Sequence, residues 1–299
     1  MSGRISANAF SSKTSSLGVS EETVSSWLNN SYVTYASVDF GNNTKGIKVN
    51  YSMGQWVDWS KLYGGVIEIR LGGPSGTIIA KFTPSPVYLV DSGTSYITAY
   101  IGLLDGVSET GVHPLTFICK DSVSGDSLSF SLAYFELSDF ADRTAAQTLI
   151  NASEFSNSSG VQIYGGYGDP IVGWFGNDNY VTYSQVNYLA PGASKGILLS
   201  YAKDEIAEGT VEVRLGGPAG KKLVEFVPIN LNSWYPFVDA WVELDAEVDG
   251  IHDLTFIYKG AGGWSLESFS IREATQLPSV IPSNRPSVLP SVIPSNRPS

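Results

Sequence analysis

Short segments of alternating apolar and polar residues recur along most of the chain. In IEIRL (residues 67–71) the isoleucines and the leucine share one face, while the glutamate and the arginine share the other. This is the period of a half-buried β-strand. Similar segments are separated by Gly, Pro, Asn and Asp, the residues that reverse a chain. The pattern predicts an all-β protein made of two tandem jelly-roll β-sandwiches.

The same order of segments occurs twice. VEVRLGGPAGKKLVEF (residues 211–226) keeps eight of the sixteen residues of IEIRLGGPSGTIIAKF (67–82). Other matching pairs are NSYVTYASVDFG with DNYVTYSQVNYL, KGIKVNY with KGILLSY, GVHPLTFICK with GIHDLTFIYK, and SLAYFEL with SLESFSI. We predict two homologous domains, residues 4–140 and 145–274, and expect the repeated hairpin to be scaffold.

Two segments depart from the strand pattern. SEETVSSWL (residues 20–28) predicts a helical turn capped by Ser20. Residues 275–299 carry a proline at every fourth position from 278 to 298. That spacing excludes helix and sheet, and it predicts an extended, disordered Pro/Ser-rich linker or tail. Because the sequence stops within this repeat, we expect the natural chain to continue past Ser299.

Composition and charge exclude several classes of function. The chain is 42% hydrophobic and 16% charged, which indicates a globular protein. Its net charge of −11 disfavours nucleic acid and anionic lipid as partners. We expect no transmembrane segment, since no run of about 18 apolar residues occurs. The first sixteen residues lack a secretion-signal pattern, which indicates a fragment boundary. The sequence leaves the oligomeric state open.

The sequence offers little for catalysis. His113 and His252 open the same strand in the two repeats, so we expect both to be fold elements. No histidine then remains for a catalytic triad or a zinc site. Cys119 alternates with apolar residues, which indicates a buried position. Asp169 and Asp178 could serve glycoside hydrolysis only as a pair, and no pattern pairs them. We therefore expect no enzymatic activity.

Four motifs in order resemble carbohydrate-binding module family 6, a galactose-binding-like β-sandwich. They are INASEFSNSSGVQ (residues 150–162), VGWFGNDNYVTY (172–183), the hairpin at 211–226 and GIHDLTFIYKG (250–260). The resemblance extends over both repeats. It implies two tandem modules that grip a polysaccharide or oligosaccharide without catalysis, and an extracellular or cell-surface location. Five Asn-x-Ser/Thr sequons, at Asn29, Asn42, Asn50, Asn151 and Asn157, also favour secretion.

In that family, two aromatic rings hold a sugar in a cleft of loops at one end of the sandwich, and a polar side chain hydrogen-bonds it. The rings contact the apolar C–H face of the sugar, and polar groups contact its hydroxyl rim. The resemblance implies the following residues for the second repeat: Trp174, Trp234 and Ser265. For the first repeat it implies Trp27, Tyr96 and Ser131.

The family often holds a structural calcium through an early glutamate. That position is Ser153 in the second repeat and Asn8 in the first, although Glu154 is adjacent. Without the expected carboxylates a hard cation is poorly held, so we expect no metal and no cofactor.

Two other functions stay open. The chain could be the binding arm of a larger glycoside hydrolase whose catalytic part lies beyond Ser299. It could also be a structural or adhesive cell-wall protein whose sandwiches contact protein or mineral. Neither the sugar nor its linkage is specified by the sequence.

Overall fold

The computed structural model describes residues 3–53, 65–85, 87–89, 96–104, 107–120, 130–165, 170–189, 195–204, 208–245 and 247–274. These residues form two β-sandwiches, each with two sheets, which confirms the predicted all-β fold. The Pro/Ser-rich segment 275–299 lies outside the described residues. Within the described part, no helix is long and apolar enough to cross a membrane.

Twelve strands belong to the first half of the chain. They are β1 (Ile5–Ser6), β2 (Ser12–Lys13), β3 (Gly18–Val19), β4 (Val24–Ser25), β5 (Tyr32–Asp39), β6 (Gly46–Met53), β7 (Val66–Leu71), β8 (Thr77–Phe82), β9 (Val87–Leu89), β10 (Ile97–Gly102), β11 (Val112–Lys120) and β12 (Phe130–Ser138). One sheet has the order β10-β6-β12-β4-β3, with β1 on β12, and the other has the order β2-β5-β11-β7-β8.

The short helix α1 (Ala141–Thr144) links the two sandwiches. The second half contains β13 (Ile150–Asn151), β14 (Asn157–Ser159), β15 (Gln162–Gly165), β16 (Ile171–Phe175), β17 (Tyr180–Asn187), β18 (Lys195–Lys203), β19 (Gly209–Leu215), β20 (Lys222–Phe226), β21 (Ser233–Glu243), β22 (Ile251–Gly260) and β23 (Trp264–Glu273). Its sheets have the orders β21-β18-β23-β16-β15, with β13 on β23, and β14-β17-β22-β19-β20, so the strand order of the first sandwich recurs.

The repeated hairpin is scaffold in both sandwiches. Arg70 donates to the Glu68 carboxylate and to the Gly76 carbonyl. Arg214 makes the same bonds to Glu212 and to the carbonyl of Gly220. A β-carbon on either turn glycine would lie within 2 Å of a backbone oxygen, at 1.6 Å and 1.7 Å, so the turn requires glycine. The residues that the two hairpins share therefore fix the hairpin itself.

The core also repeats between the sandwiches. The Tyr35 hydroxyl donates to the carbonyl of Ala7 at 2.7 Å, and the Tyr183 hydroxyl donates to that of Ala152 at 2.8 Å. Cys119 is buried, as the alternation of its strand predicts. Such paired contacts tie the opening segment of each sandwich to its central sheet.

The predicted helical turn at residues 20–28 is wrong. Strands β3 and β4 pair there as a short hairpin. Ser20 does bind free backbone amides, as a cap would, and its hydroxyl accepts from the N–H groups of Glu22 and Thr23. The same side-chain chemistry serves a turn or a helix start, and pairing of Val24 with Leu132 of β12 selects the strand.

The two sandwiches are in contact along several elements. Strand β9 pairs in parallel with β15 of the second sandwich. The hydroxyls of Ser85 and Ser158, both buried, are 2.9 Å apart. Helix α1 packs against β17. Backbone and side-chain contacts therefore join the two halves.

Arg143 of α1 lies at the centre of this contact. Its guanidinium carbon is 4.3 Å from the ring centroid of Tyr100 in the first sandwich and 5.9 Å from that of Tyr183 in the second. Nη2 donates to the carbonyl of Glu154 at 2.8 Å and lies 3.7 Å from its carboxylate. Burial lowers the pKa of Arg143 and raises that of Glu154. One cation thus contacts both sandwiches.

We expect Arg143→Ala to lower the free energy of unfolding by about 2–4 kcal/mol, because it removes packing from both sandwiches and takes the cation away from the half-buried Glu154 carboxylate. Urea denaturation measures the change. Arg4→Ala is the matched control: Arg4 lies 3.8 Å from the Tyr134 ring and contacts Glu136, but its side chain is exposed. Its loss should cost about 0.5 kcal/mol or less. Equal losses for the two variants would contradict the role given to Arg143.

Candidate functional site

A row of backbone partners crosses one end of the second sandwich. Ser233 of β21 pairs with Lys203 of β18, Lys203 with Trp264 of β23, and Trp264 with Phe175 of β16. Trp174 and Trp234 immediately adjoin the two ends of this row. The structure therefore brings the two predicted tryptophans to the same end of one sheet, with β18 and β23 between them. Strands are about 4.8 Å apart, so about 14 Å separates the backbones of β16 and β21.

A bulge in β16 turns Trp174 toward solvent. Val172 pairs with Leu266 and Phe175 with Trp264, so Gly173 and Trp174 together stand opposite one residue of β23. Trp174 has a φ of 59°. Val172 and Phe175 are fully buried, whereas Trp174 is 64% exposed. The extra residue breaks the alternation of the strand and places an indole where the regular period would not.

A larger bulge carries Trp234. Lys203 pairs with Ser233 and Tyr201 with Val238, so the four residues 234–237 stand opposite the single residue Ala202. Trp234 is 40% exposed. Both tryptophans therefore occupy irregular positions of otherwise regular strands, which is how sheets commonly present functional side chains.

Ser265 is not available as a ligand. It pairs with Ala202 in the adjacent row, but it is only 2% exposed. A β-carbon placed on Gly173 would lie 2.9 Å from the Ser265 hydroxyl and 3.3 Å from the Tyr164 ring. The implied role of Ser265 in hydrogen-bonding a sugar is therefore corrected: its hydroxyl lies beneath the β16 bulge.

Other polar groups are exposed beside Trp174. Asn177 and Asp178 lie in the turn after β16, and the Asn177 amide donates to the Asp178 carboxylate at 2.7 Å. Lys259 forms an ion pair with Asp178. The Asn179 amide donates to the carbonyls of Gly160 and Trp174, which holds the turn against the bulge. Together they supply hydrogen-bond donors and acceptors at the rim. Of these residues the sequence singles out only Asp178, and as a catalytic carboxylate rather than as a group that binds sugar.

Lys203 and Tyr164 also lie near the two tryptophans, and no sequence motif indicates them. Lys203 is 3% exposed and lies in the row itself. The first repeat has Met53 at the matching position, so comparing the repeats would have drawn attention to this lysine. Tyr164 donates to the Gln162 side chain at 2.8 Å and contacts Gly173. The strand that contains Tyr164 has no close sequence match in the first repeat, so comparing the two repeats does not indicate this tyrosine.

The expectation for Trp27 is wrong by one residue. With YVTY of the two repeats superposed, Trp27 matches Phe175 and Ser26 matches Trp174. The backbone agrees, since Ser26 has a φ of 61° and Trp174 a φ of 59°. Trp27 is fully buried, contacts Phe130 edge-on at 5.5 Å and donates to the Val24 carbonyl. A one-residue shift at a bulge exchanges the buried and the exposed face.

The remaining first-repeat residues form no cleft in the described structure. Ser131 is half-buried and pairs with Ser52 of β6. Tyr96 is 36% exposed and directly precedes β10. The segment that matches Trp234, residues 90–95, lies outside the described residues. The first sandwich thus places a serine where the second places its most exposed tryptophan.

Two further expectations concern metal and catalysis. Glu154 accepts from the Asn151 amide at 3.2 Å and lies beside Arg143. The described residues contain no group of three His, Cys, Asp or Glu side chains that could hold a metal ion. The ring Nε2 of His113 lies 2.7 Å from the Thr110 carbonyl, and that of His252 lies 2.8 Å from the Asp249 carbonyl. The histidines therefore fix the same turn in both sandwiches.

We expect Trp27→Ala to lower the free energy of unfolding by about 3–5 kcal/mol, because it opens a cavity in the core. Trp174→Ala, the matched control, should change it by about 0.5 kcal/mol or less, since its ring packs little. Chemical denaturation of both variants tests this. A small effect at Trp27 would show that its ring does not support the core.

Comparisons with known proteins bear on the second sandwich. Residues 151–273 match the family model described as carbohydrate binding module (family 6). No curated protein matches the chain.

Several solved structures are similar to parts of the chain. A family 6 carbohydrate-binding module from Clostridium cellulolyticum, in complex with xylose, is 26% identical, with 42% of this chain and 98% of that chain covered and a TM-score of 0.38. A β-1,3-glucan-binding module of the family from Bacillus halodurans is 23% identical, with 42% of this chain and 96% of that chain covered and a TM-score of 0.38. A glycoside hydrolase family 43 arabinoxylan arabinofuranohydrolase from Bacillus subtilis is 13% identical, with 86% of this chain and 53% of that chain covered and a TM-score of 0.40. The family match gives the second sandwich its resemblance to family 6 carbohydrate-binding modules, and the first sandwich lies outside it.

Proposed function

We propose that the second sandwich binds a β-linked polysaccharide or oligosaccharide at the end that carries Trp174 and Trp234. The observation that supports this most strongly is the pair of bulges, which expose two indoles at one end of a single sheet. Exposed aromatic faces contact the apolar side of a sugar ring. The family match at residues 151–273 agrees with this activity.

The hydroxyl rim of the sugar has partners other than Ser265. Asn177 and Asp178 lie in the turn after β16, and Lys259 lies near the end of β22. All three are at the same end as Trp174 and offer both donors and acceptors. Their charges balance as a pair, which suits a neutral ligand. We assign the hydrogen bonding of the sugar to this group, and Trp174 to the stacking contact beside it.

The first sandwich, in this proposal, is a copy of the module that has lost its stacking platform. Its strand order corresponds to that of the second, and Lys120 donates to Asn30 much as Lys259 contacts Asp178. Ser26 occupies the position of Trp174. The protein would therefore bind through one end, outside the cell or at its surface, rather than grip a polymer with two sites.

We also propose that the chain is a binding protein and not an enzyme. Both histidines are engaged with backbone carbonyls at equivalent turns. At the proposed site the Asp178 carboxylate is already engaged in an ion pair with Lys259. Incubation with soluble glucans and xylans, followed by a reducing-sugar assay, tests this directly, and release of sugar would refute it.

We expect Trp174→Ala and Trp234→Ala each to weaken binding of the full chain to its glycan by about tenfold or more, which corresponds to about 1.4 kcal/mol. A panel of soluble β-glucans and xylans in affinity electrophoresis identifies the glycan and then compares the variants. Leu149→Ala, which removes another exposed apolar side chain, should bind as the wild type does.

The outcomes test the proposed site and separate sugar binding from a structural or adhesive role. Retardation that survives both tryptophan substitutions would refute the proposed site. A chain that is retarded by no glycan would favour a structural or adhesive role instead.

A further inference from the structure

The structure divides the five Asn-x-Ser/Thr sequons into two groups. In three of them the asparagine lies within a strand and its side chain is engaged. Asn50 donates to the Ile97 carbonyl at 3.3 Å and to the Thr98 hydroxyl at 3.1 Å, between β6 and β10. Asn151 donates to Glu154. An oligosaccharide on either amide would break these contacts.

Asn157 is excluded by its place in the fold. Its side-chain oxygen accepts from the Ser158 amide at 2.9 Å. It lines a cleft of 660 Å³ between the two sandwiches, opposite Lys81 and Leu104 of the first. A branched glycan there would push the sandwiches apart and strain the β9–β15 pairing.

Asn29 and Asn42 have the opposite properties. Asn29 lies in the turn between β4 and β5, and Asn42 in the turn between β5 and β6. Both are exposed, as are Asn30 and Asn43 beside them. Among the described residues, neither side chain has a hydrogen-bond partner. Asn42 lines a cleft of 470 Å³, but the residues around that cleft belong to the first sandwich and α1, so a glycan there would not push the sandwiches apart as one on Asn157 would. A glycan on either Asn29 or Asn42 would displace no side-chain hydrogen bond of its asparagine.

The sequon at Asn29 belongs to the first sandwich alone. Asn29 matches Asn177, the rim residue beside Trp174, where the second repeat reads Asn-Asp-Asn and carries no sequon. A glycan on Asn29 would therefore cover the end of the first sandwich that corresponds to the binding end of the second. The same end would be modified in one sandwich and open in the other.

We propose that Asn29 and Asn42 are N-glycan acceptors and that Asn50, Asn151 and Asn157 are not. The donor is a lipid-diphosphate-linked oligosaccharide. The asparagine amide nitrogen bonds to the anomeric carbon of the sugar and loses one proton, while the bond from that carbon to the diphosphate oxygen breaks and the lipid diphosphate leaves with the electron pair. The proposal is independent of carbohydrate binding by the second sandwich.

The test is secretion of the full chain, behind an added cleavable signal, from a yeast that performs N-glycosylation. Peptide mass spectrometry before and after peptide:N-glycosidase treatment locates each glycan. We expect glycan on Asn29 and Asn42 in the secreted, folded protein and unmodified Asn50, Asn151 and Asn157. Unmodified Asn29 or Asn42 would overturn the assignment for that residue, and glycan on any of the other three would overturn the exclusion.

Matched variants test the acceptor asparagine and the rest of its sequon separately. Asn42→Gln and Thr44→Ala should each remove the same single glycan, because the first deletes the acceptor and the second deletes the hydroxyl that completes the sequon. Asn29→Gln should remove the other. Asn50→Gln should leave the glycan mass unchanged, and a loss of glycan from that variant would contradict the proposal.

Discussion

The alternation of a β-strand allows a side chain to face either the core or the solvent, and the exposure of Trp174 depends on a break in that alternation. At the break, two residues of β16 stand opposite one residue of β23. The core keeps Val172 on one side of the bulge and Phe175 on the other, so Trp174 must leave the core. Its left-handed backbone costs about 1–2 kcal/mol, which the packing of the two buried neighbours offsets.

The regular strands and turns can be predicted from sequence because their signals are local. The bulge cannot be predicted in this way, because it depends on how one strand pairs with another. Alternation marks IEIRL and VEVRL as strands, and GGPSG and GGPAG mark their turns, because both signals act within a few residues. The bulge adds one residue to one strand and leaves the composition unchanged. Alternation from the buried Val24 therefore favours exposure of Trp27, although Ser26 occupies the exposed place. Superposition of the two YVTY segments gives the correct pair, Ser26 with Trp174, and pairing of Val24 with Leu132 of β12 fixes the register there.

Burial of the polar ligand could not be predicted from sequence either. Ser265 lies in a strand whose pattern puts it on the face away from the core, which suggests access to solvent. The cover comes from Gly173 and Tyr164, and these belong to strands that are distant in sequence. The turn at Asn177 and Asp178 lies close to the tryptophan in the sequence. Its side chains are therefore the polar groups that a local reading could have selected.

The parallel pairing of β9 with β15 has a consequence for how the two halves may be separated. An end strand of a sheet offers unpaired amides and carbonyls, and such an edge tends to add strands from other molecules. β15 is the end strand of its own sheet, and β9 from the other half covers it. Cut away from its neighbour, the second sandwich would present this edge to solvent. The smallest piece of the chain with that edge closed therefore contains strands from both halves.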